Sequence, residues 1–177
     1  LLKDGGRGAI VLPDGTLFGE GVKTRIKEEL LTQCNLHTIV RLPNGVFAPY
    51  TGIKTNLLFF TKGEPTKEIW YYEHPYPPGV KSYNKTKPIH IDEFKAEKAW
   101  WGRAGQASKR KETELAWRVP IQQIRDSGYN LDFKNPHTVE DDHGDPAELL
   151  AKLNEAEKQT AALRDKLKVI LSESLLR

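Results

Sequence analysis

Runs of apolar residues divide the first part of the chain into segments of strand and helix length. Residues 7–12 are a continuous apolar run, which is typical of a strand buried on both faces. Residues 20–34 are predicted to be a helix, because Val22, Ile26 and Leu30 recur at every fourth position among charged residues. Further strand-length runs are found at 36–42, 55–62 and 68–73.

The order strand, helix, strand, loop, strand is typical of the second half of an open α/β sheet. The loop at 43–54 is long and rich in glycine and proline, and long loops at strand ends tend to carry function. Residues 74–90 contain four prolines and are predicted to be a linker. A helix is expected around Asp92–Trp101, and an extended or turn-like segment around 129–133.

The last part of the chain predicts one long helix with a narrow apolar stripe. Asp145 and Pro146 form a helix-start signal. The stripe follows heptad spacing through Leu149, Leu153, Ala156, Thr160, Leu163, Leu167 and Ile170. Such a stripe needs a partner helix, so we interpret this helix as a docking arm for another subunit. Packing of the helix onto its own domain is the alternative.

Composition and charge limit the class of protein. The 177 residues suffice for one domain with an appendage, and the longest apolar runs are too short to cross a bilayer. A single cysteine, Cys34, excludes an internal disulfide framework and fits a reducing cytoplasm. Residues 1–136 carry 21 Lys and Arg against 15 Asp and Glu, a net of +6, whereas 137–177 carry 6 against 9, a net of −3. A basic body suggests a polyanion as partner, although so modest an excess is also ordinary.

No catalytic, cofactor-binding or metal-binding motif is recognisable from the residues. There is no phosphate-binding glycine loop, and the five histidines are scattered. The loop at 43–54 is the exception: an aromatic such as Phe47 can stack on a base. In the same interpretation Lys54 contacts a phosphate and Asn56 forms a hydrogen bond. The alternative is that Phe47 and Tyr50 only pack the loop against its own domain.

Three stretches of sequence carry a family resemblance. Residues 5–18, from Gly5 to Phe18, resemble the strand that follows the catalytic motif of adenine-N6 methyltransferases. Residues 35–43 and 45–60 resemble the methylation subunit of type I restriction-modification systems. The similarity is strong over residues 1–63 and looser from there to the C-terminal helix.

This resemblance implies an α/β fold: the C-terminal half of the Rossmann-like sheet of a class I methyltransferase, ending in a hairpin. Residues 1–73 would supply the last strands of the catalytic domain, 74–136 a linker and helical region, and 137–177 the docking helix. The implied reaction moves a methyl group from S-adenosylmethionine to an adenine flipped out of duplex DNA. Phe47 occupies the position of the aromatic that stacks on the flipped base, and Tyr50 is a second candidate.

The sequence also departs from the family pattern. The donor-binding glycine motif and the Asn-Pro-Pro-Phe or -Tyr tetrapeptide are absent, and Asn135-Pro136-His137 does not match the latter. We therefore expect a C-terminal part of a longer enzyme, inactive alone, with S-adenosylmethionine bound upstream. The implied partners are DNA, a specificity subunit, a restriction subunit and a second methylation subunit, and no membrane. The competing hypothesis is a non-catalytic adaptor or nucleic-acid-binding module that uses the basic region and the heptad helix.

Overall fold

The computed structural model describes residues 2–102, 110–138 and 146–175. The chain forms two compact units, residues 1–138 and 139–177. The segment at 74–136, predicted to be a linker and helical region, belongs to the same unit as the sheet where it is described.

The first unit contains five strands and four short helices in its described residues. The strands are β1 (Arg7–Pro13), β2 (Cys34–Arg41), β3 (Thr55–Lys62), β4 (Glu68–Glu73) and β5 (Ala116–Pro120). The α-helices are α1 (Asp14–Leu17), α2 (Val22–Gln33), α3 (Lys95–Trp101) and α4 (Ile121–Asp126), and a 3-10 helix at Ile91–Phe94 precedes α3. All four predicted strands and the predicted helices of this unit are therefore present, whereas α1, β5 and α4 had not been predicted.

The strands form one mixed sheet in the order β1-β3-β2-β4-β5. Strand β3 runs antiparallel to both β1 and β2, and β2 runs parallel to β4, so β1, β2 and β4 share one direction. Strand β5 adds to β4 in the antiparallel direction. The antiparallel pair β2–β3, joined through residues 42–54, confirms the expected hairpin. The α/β class is confirmed as well.

Strand β1 is more exposed than its sequence predicts. Ile10 and Val11 are 45% and 48% exposed, so the expectation of a strand buried on both faces is wrong for this chain. Within the described residues β1 pairs only with β3, and nothing there covers its outer edge. A run of apolar residues indicates the burial that a strand favours, and the described residues do not supply that burial for β1.

Helix α2 packs only one residue of its predicted apolar stripe, Leu30, against the core. Val22 and Ile26 are 72% and 61% exposed, whereas Lys27 and Leu31 are the buried residues of this helix. The Lys27 Nζ donates to the carbonyl oxygens of Leu17 at 2.7 Å and of Gly19 at 2.9 Å. These two hydrogen bonds satisfy the buried ammonium group, which explains how a lysine occupies the inner face.

Aromatic side chains pack on both faces around β4 and β5. The Tyr71 ring stacks on Trp117 with centroids 5.4 Å apart, on the face that α2 covers. On the other face the ring centroids of Trp100 and Tyr72 are 5.1 Å apart, and Trp101 packs there too.

The guanidinium group of Arg110 lies over the same two tryptophans. It is 5.2 Å from the ring centroid of Trp100 and 4.7 Å from that of Trp101, and burial lowers the pKa of Arg110. Both faces of this side of the sheet are therefore covered.

The second unit consists, where described, of the helix α5 (Pro146–Leu175). The long C-terminal helix is thus confirmed, while Asp145, its predicted N-cap, lies outside the described residues. The predicted docking residues Leu149, Leu153, Ala156, Leu163, Leu167 and Ile170 are all exposed. Coiled-coil pairing of this stripe stays a prediction. No helix in the described parts of the chain is long and apolar enough to cross a membrane.

Candidate nucleic-acid interface

The candidate loop lies where three parallel strands end. Residues 42–54 follow β2, Asp14 follows β1, and His74 follows β4. Because these strands share one direction, their carboxyl ends meet at one edge of the sheet, which we call the carboxyl edge. In open α/β sheets this is the edge at which ligands bind.

Arg41, the last residue of β2, fixes the base of the loop. Its Nη2 lies 2.7 Å from Asp132 Oδ1 and 3.6 Å from Asp14 Oδ1. Its Nη1 donates to the carbonyl oxygen of Phe133 at 2.9 Å. The Arg41 side chain is only 14% exposed, so these contacts are weakly screened by solvent. One guanidinium therefore joins three segments that are far apart in the sequence.

The segment that carries Asp132 is itself held to the sheet by Tyr71. The buried Tyr71 hydroxyl donates to the carbonyl oxygen of Leu131 at 3.0 Å. Burial raises the pKa of Tyr71, so the phenol remains a neutral donor. The position of Asp132 beside Arg41 is thus set by the core beneath it.

Asn56 lies behind the surface of the loop. It is 1% exposed, and its Nδ2 donates to Asp14 Oδ1 at 2.7 Å. The Asp14 backbone N–H in turn donates to the carbonyl oxygen of Lys54 at 2.9 Å. The buried Asn56 Oδ1 has no hydrogen-bond partner among the described residues, and direct contact of Asn56 with a base stays a prediction. Through its Nδ2, Asn56 helps to fix the second end of the loop.

The first half of the loop is held by two tyrosines from the segment after β4. The Tyr76 hydroxyl donates to the carbonyl oxygen of Asn44 at 2.9 Å. Gly45 has φ 81°, and a Cβ there would meet the carbonyl oxygen of Tyr83 at 2.6 Å, so both the backbone angle and the space require glycine. The buried Tyr83 hydroxyl donates to a carboxylate oxygen of Glu93, and burial together with that carboxylate raises the pKa of Tyr83.

The tip of the loop presents the remaining candidate residues to solvent. Phe47 is 40% exposed, Tyr50 is 93% exposed, and Lys54 is exposed as well. The backbone N–H groups of Tyr50 and Thr51 both donate to the carbonyl oxygen of Phe47, at 2.9 and 3.1 Å, which makes the tip a compact turn. The structure therefore brings Phe47, Tyr50 and Lys54 onto one loop with anchored ends.

A buried pair at the carboxyl edge was not predicted from the sequence. His74 Nδ1 lies 2.5 Å from Glu97 Oε1, and the two residues are 3% and 4% exposed. The His74 backbone N–H donates to the carbonyl oxygen of Arg41 at 2.9 Å. No local signal points to this pair, because its members are 23 positions apart on different elements. Among the described residues no cluster of His, Cys, Asp and Glu is arranged to hold a metal ion.

Comparison with known proteins identifies the family. The model of the N-6 DNA methylase family matches residues 1–145. The chain belongs to the N-6 DNA methylase family. It is 58% identical over 176 residues to the EcoEI type I restriction enzyme methylase subunit of Escherichia coli, covering 99% of this chain and 36% of that relative.

Solved structures agree with this assignment. A chain from a study of complex assembly and conformational transition of the type I R-M system is 38% identical, with a TM-score of 0.71 over 97% of this chain and 37% of that one. The type I restriction enzyme EcoKI M protein is 27% identical, with a TM-score of 0.63 over 92% of this chain and 41% of that one. The chain thus spans roughly two fifths or less of the length of these relatives.

The family implies S-adenosylmethionine, and the described residues do not fit this donor. Beside the loop lies a cavity of about 330 Å³ whose wall includes the carboxylates of Asp14 and Glu73. Each carboxylate accepts one hydrogen bond, from Asn56 or from Asn135, and no glycine is among the residues that line this cavity, so its backbone offers no close approach for the donor. At the glycine-containing turn before α2, the Lys27 Nζ donates to the carbonyl oxygens of Leu17 and Gly19, so these two acceptors are engaged within the protein.

Proposed function

We propose that this chain works as part of an adenine-N6 DNA methyltransferase of a type I restriction-modification system. The reaction would transfer a methyl group from S-adenosylmethionine to adenine in duplex DNA. The 58% identity to the EcoEI methylase subunit, which extends over 99% of this chain, carries the proposal. The donor and the transfer chemistry would belong to parts of the enzyme outside this chain.

The contribution of this chain to the reaction is the target-base loop, residues 43–54. Adenine N6 is inaccessible inside a duplex, so the base has to leave the stack, at a cost of a few kcal/mol. An aromatic ring on an anchored loop offsets part of this cost by stacking on the flipped base. The partly exposed Phe47 is our candidate for that ring, with Tyr50 as the second.

Lys54 and Asn56 take different roles in this proposal. The exposed Lys54 lies on the same loop as Phe47 and is suited to a phosphate contact next to the flipped nucleotide. Asn56 acts indirectly, through its hydrogen bond to Asp14, by holding the end of the loop in place. The anchored ends matter because a stacking ring gains most when its position is set before the base arrives.

The partners proposed for the chain are DNA, a specificity subunit, a restriction subunit and a second methylation subunit. The heptad stripe of α5 supports a helical partner, since Leu153, Leu163 and Leu167 are 55%, 62% and 59% exposed. Apolar side chains at heptad spacing gain most by packing against another helix. We assign this stripe to docking of the specificity subunit.

Methylation mapping with the full-length enzyme and its partner subunits tests the proposal. In a host without adenine methylation, the wild-type enzyme is expected to place N6-methyladenine at one recurrent DNA sequence. Phe47→Ala should lower kcat/KM by about 10- to 100-fold, because base–aromatic stacking contributes roughly 1–3 kcal/mol.

Phe18→Ala is the matched control, because Phe18 is an exposed phenylalanine, 53% accessible, outside the loop. Its kcat/KM is expected to equal that of the wild type. Absence of N6-methyladenine with the wild-type enzyme would reject the methyltransferase and favour the non-catalytic adaptor. Normal methylation by Phe47→Ala would remove Phe47 from the base site.

A further inference from the structure

Three exposed lysines follow the carboxyl edge within one short segment. Lys81, Lys85 and Lys87 all lie on residues 81–87, which we call the lysine segment, and all three are exposed. Between Glu73 and Asp92 the sequence contains these three lysines and no Asp or Glu. Exposed lysines are common on protein surfaces, so exposure alone does not indicate a binding site. The position of these lysines and the absence of ion pairs to them are the evidence for a ligand.

The lysine segment has a defined backbone conformation. Asn84 and Lys87 form an isolated antiparallel bridge, with N–H to oxygen distances of 3.1 and 3.2 Å. The Asn84 Oδ1 accepts hydrogen bonds from the backbone N–H of Thr86 at 3.0 Å and of Lys87 at 2.9 Å. It also accepts one from the Thr86 hydroxyl at 2.7 Å. A turn held in this way fixes the backbone that carries Lys85 and Lys87, and Lys81 precedes it by three residues.

The lysine segment is joined to the target-base loop by packing. Tyr83, in its centre, is 4% exposed, and its backbone carbonyl lies against Gly45 of the loop. Phe47 is two residues from Gly45, and Lys81 and Lys85 are each two residues from Tyr83. The reach of the chain then limits the Cα atoms of Phe47 and Lys85 to a separation of about 20 Å or less. Both groups therefore fall within one DNA-binding footprint.

The positive charge of the lysine segment is not compensated by neighbouring carboxylates. In the part of the chain that the structure describes, none of Lys81, Lys85 and Lys87 forms an ion pair. The carboxylates beside the segment are held by other partners: Glu93 accepts from the Tyr83 hydroxyl, Glu73 accepts from Asn135, and Asp92 pairs with Lys95 at 3.0 Å. An uncompensated cationic turn beside a base-binding loop fits a polyanionic ligand.

We propose that Lys81, Lys85 and Lys87 contact phosphates of the DNA strand beside the flipped adenine. This inference rests on the proposed function of the target-base loop. Phosphate contacts carry no sequence information, but they fix the register of a protein on the duplex. The lysine segment thereby holds the backbone next to the target while Phe47 receives the base. A partner subunit that reads the sequence needs no contact from this segment.

The salt dependence of DNA binding by the full-length enzyme tests this inference. The substitutions Lys81→Gln, Lys85→Gln and Lys87→Gln are combined in one variant and titrated with a random-sequence DNA duplex between 50 and 200 mM salt. The slope of log affinity against log salt is negative, and each lost phosphate contact reduces its magnitude by about 0.9. Raising the salt from 50 to 200 mM should therefore weaken DNA binding by the triple variant less than binding by the wild type, by a factor on the order of 40.

The matched control carries the same charge change at the opposite edge of the sheet. Lys3→Gln, Arg7→Gln and Lys67→Gln replace exposed residues that precede or begin β1 and β4, and this variant should keep the wild-type slope. Lys85→Gln alone should lower the slope by about 0.9, which keeps the test valid if the triple variant is unstable. An unchanged slope in both Lys81–Lys87 variants, or equal losses in test and control triples, would overturn the inference.

Methyl transfer separates this inference from the proposed function. In the triple variant we expect a raised KM for DNA and an unchanged kcat, because phosphate contacts are made equally in the ground and transition states. If the wild-type enzyme does not methylate DNA, the proposed function fails. If it methylates and the salt slope does not depend on the three lysines, only the role of the lysine segment fails.

Discussion

Strands β1 and β4 are both largely apolar, but their surroundings differ. Both are apolar runs, and both run parallel to β2. Ile69 and Tyr71 of β4 are 0% exposed, whereas Ile10 and Val11 of β1 are 45% and 48% exposed. Strand β4 lies between β2 and β5 with side chains packed on both faces, and β1 is one of the two edge strands of the described sheet.

The difference shows where the chain depends on contacts that it does not itself supply. An apolar edge strand is a ready surface for another strand, and proteins commonly cover or pair such an edge. The chain belongs to the N-6 DNA methylase family and spans 36% of the EcoEI methylase subunit, which suggests what could cover the exposed edge of β1. We propose that β1 is covered by the remainder of the methyltransferase domain, and that the stripe of α5 is covered by a partner helix.

Equal truncations in the two strands should have unequal effects on the free energy of unfolding. Ile69→Ala in β4 should cost about 2–5 kcal/mol, because the residue is fully buried and the truncation leaves a cavity. Ile10→Ala in β1 should cost about 1 kcal/mol or less, because that side chain is already half exposed in this chain. Urea denaturation of the 177-residue chain measures both values.

The same pair of variants sharpens the comparison in the full-length enzyme. If further chain segments cover β1, the cost of Ile10→Ala should rise there towards that of Ile69→Ala, while the cost of Ile69→Ala stays the same. Equal losses for the two variants in the 177-residue chain would show that β1 is already covered in it.

Charges on the α5 stripe should leave the stability of this chain almost unchanged. Leu153→Glu combined with Leu163→Glu replaces side chains that are 55% and 62% exposed, so little burial is lost. Assembly with the partner subunits should be lost, because charged side chains would have to enter an apolar helix interface. Size-exclusion chromatography of the co-expressed subunits measures the assembly.

The control for this variant places the same charges away from the stripe. It carries Asn154→Glu and Ala161→Glu, because both residues are exposed on α5 and neither belongs to the heptad stripe. The control should assemble like the wild type. An intact complex formed by the Leu153/Leu163 variant would contradict the docking role of the stripe.

Local patterns explain which parts of the fold the sequence predicts. The strands around 7–12, 36–42, 55–62 and 68–73 are each rich in apolar, β-branched or aromatic residues over six to eight positions, and such enrichment is a local property of the sequence. Strand β5 was missed because it is short and its polar positions, such as Arg118, interrupt the apolar pattern. The buried face of α2 was also misassigned, because Lys27 finds its hydrogen-bond partners through the preceding turn.

The candidate site depends more on long-range contacts than the fold does. Phe47, Tyr50 and Lys54 were predicted because they share one loop, and the structure presents them on it. The contacts of Arg41 with Asp14 and Asp132 could not be predicted, because those residues are far apart in the sequence and meet only in the folded sheet. The burial of Asn56 likewise follows from the register of β3 against its neighbours.

Hydrogen exchange of the β1 amides tests most directly whether this chain is one part of a larger sheet. In the 177-residue chain the amides of β1 that point away from β3 should exchange rapidly, while those of β4 are protected. In the full-length enzyme the account predicts that these β1 amides become as protected as those of β4. Exchange that remains equally rapid in the full-length enzyme would contradict it.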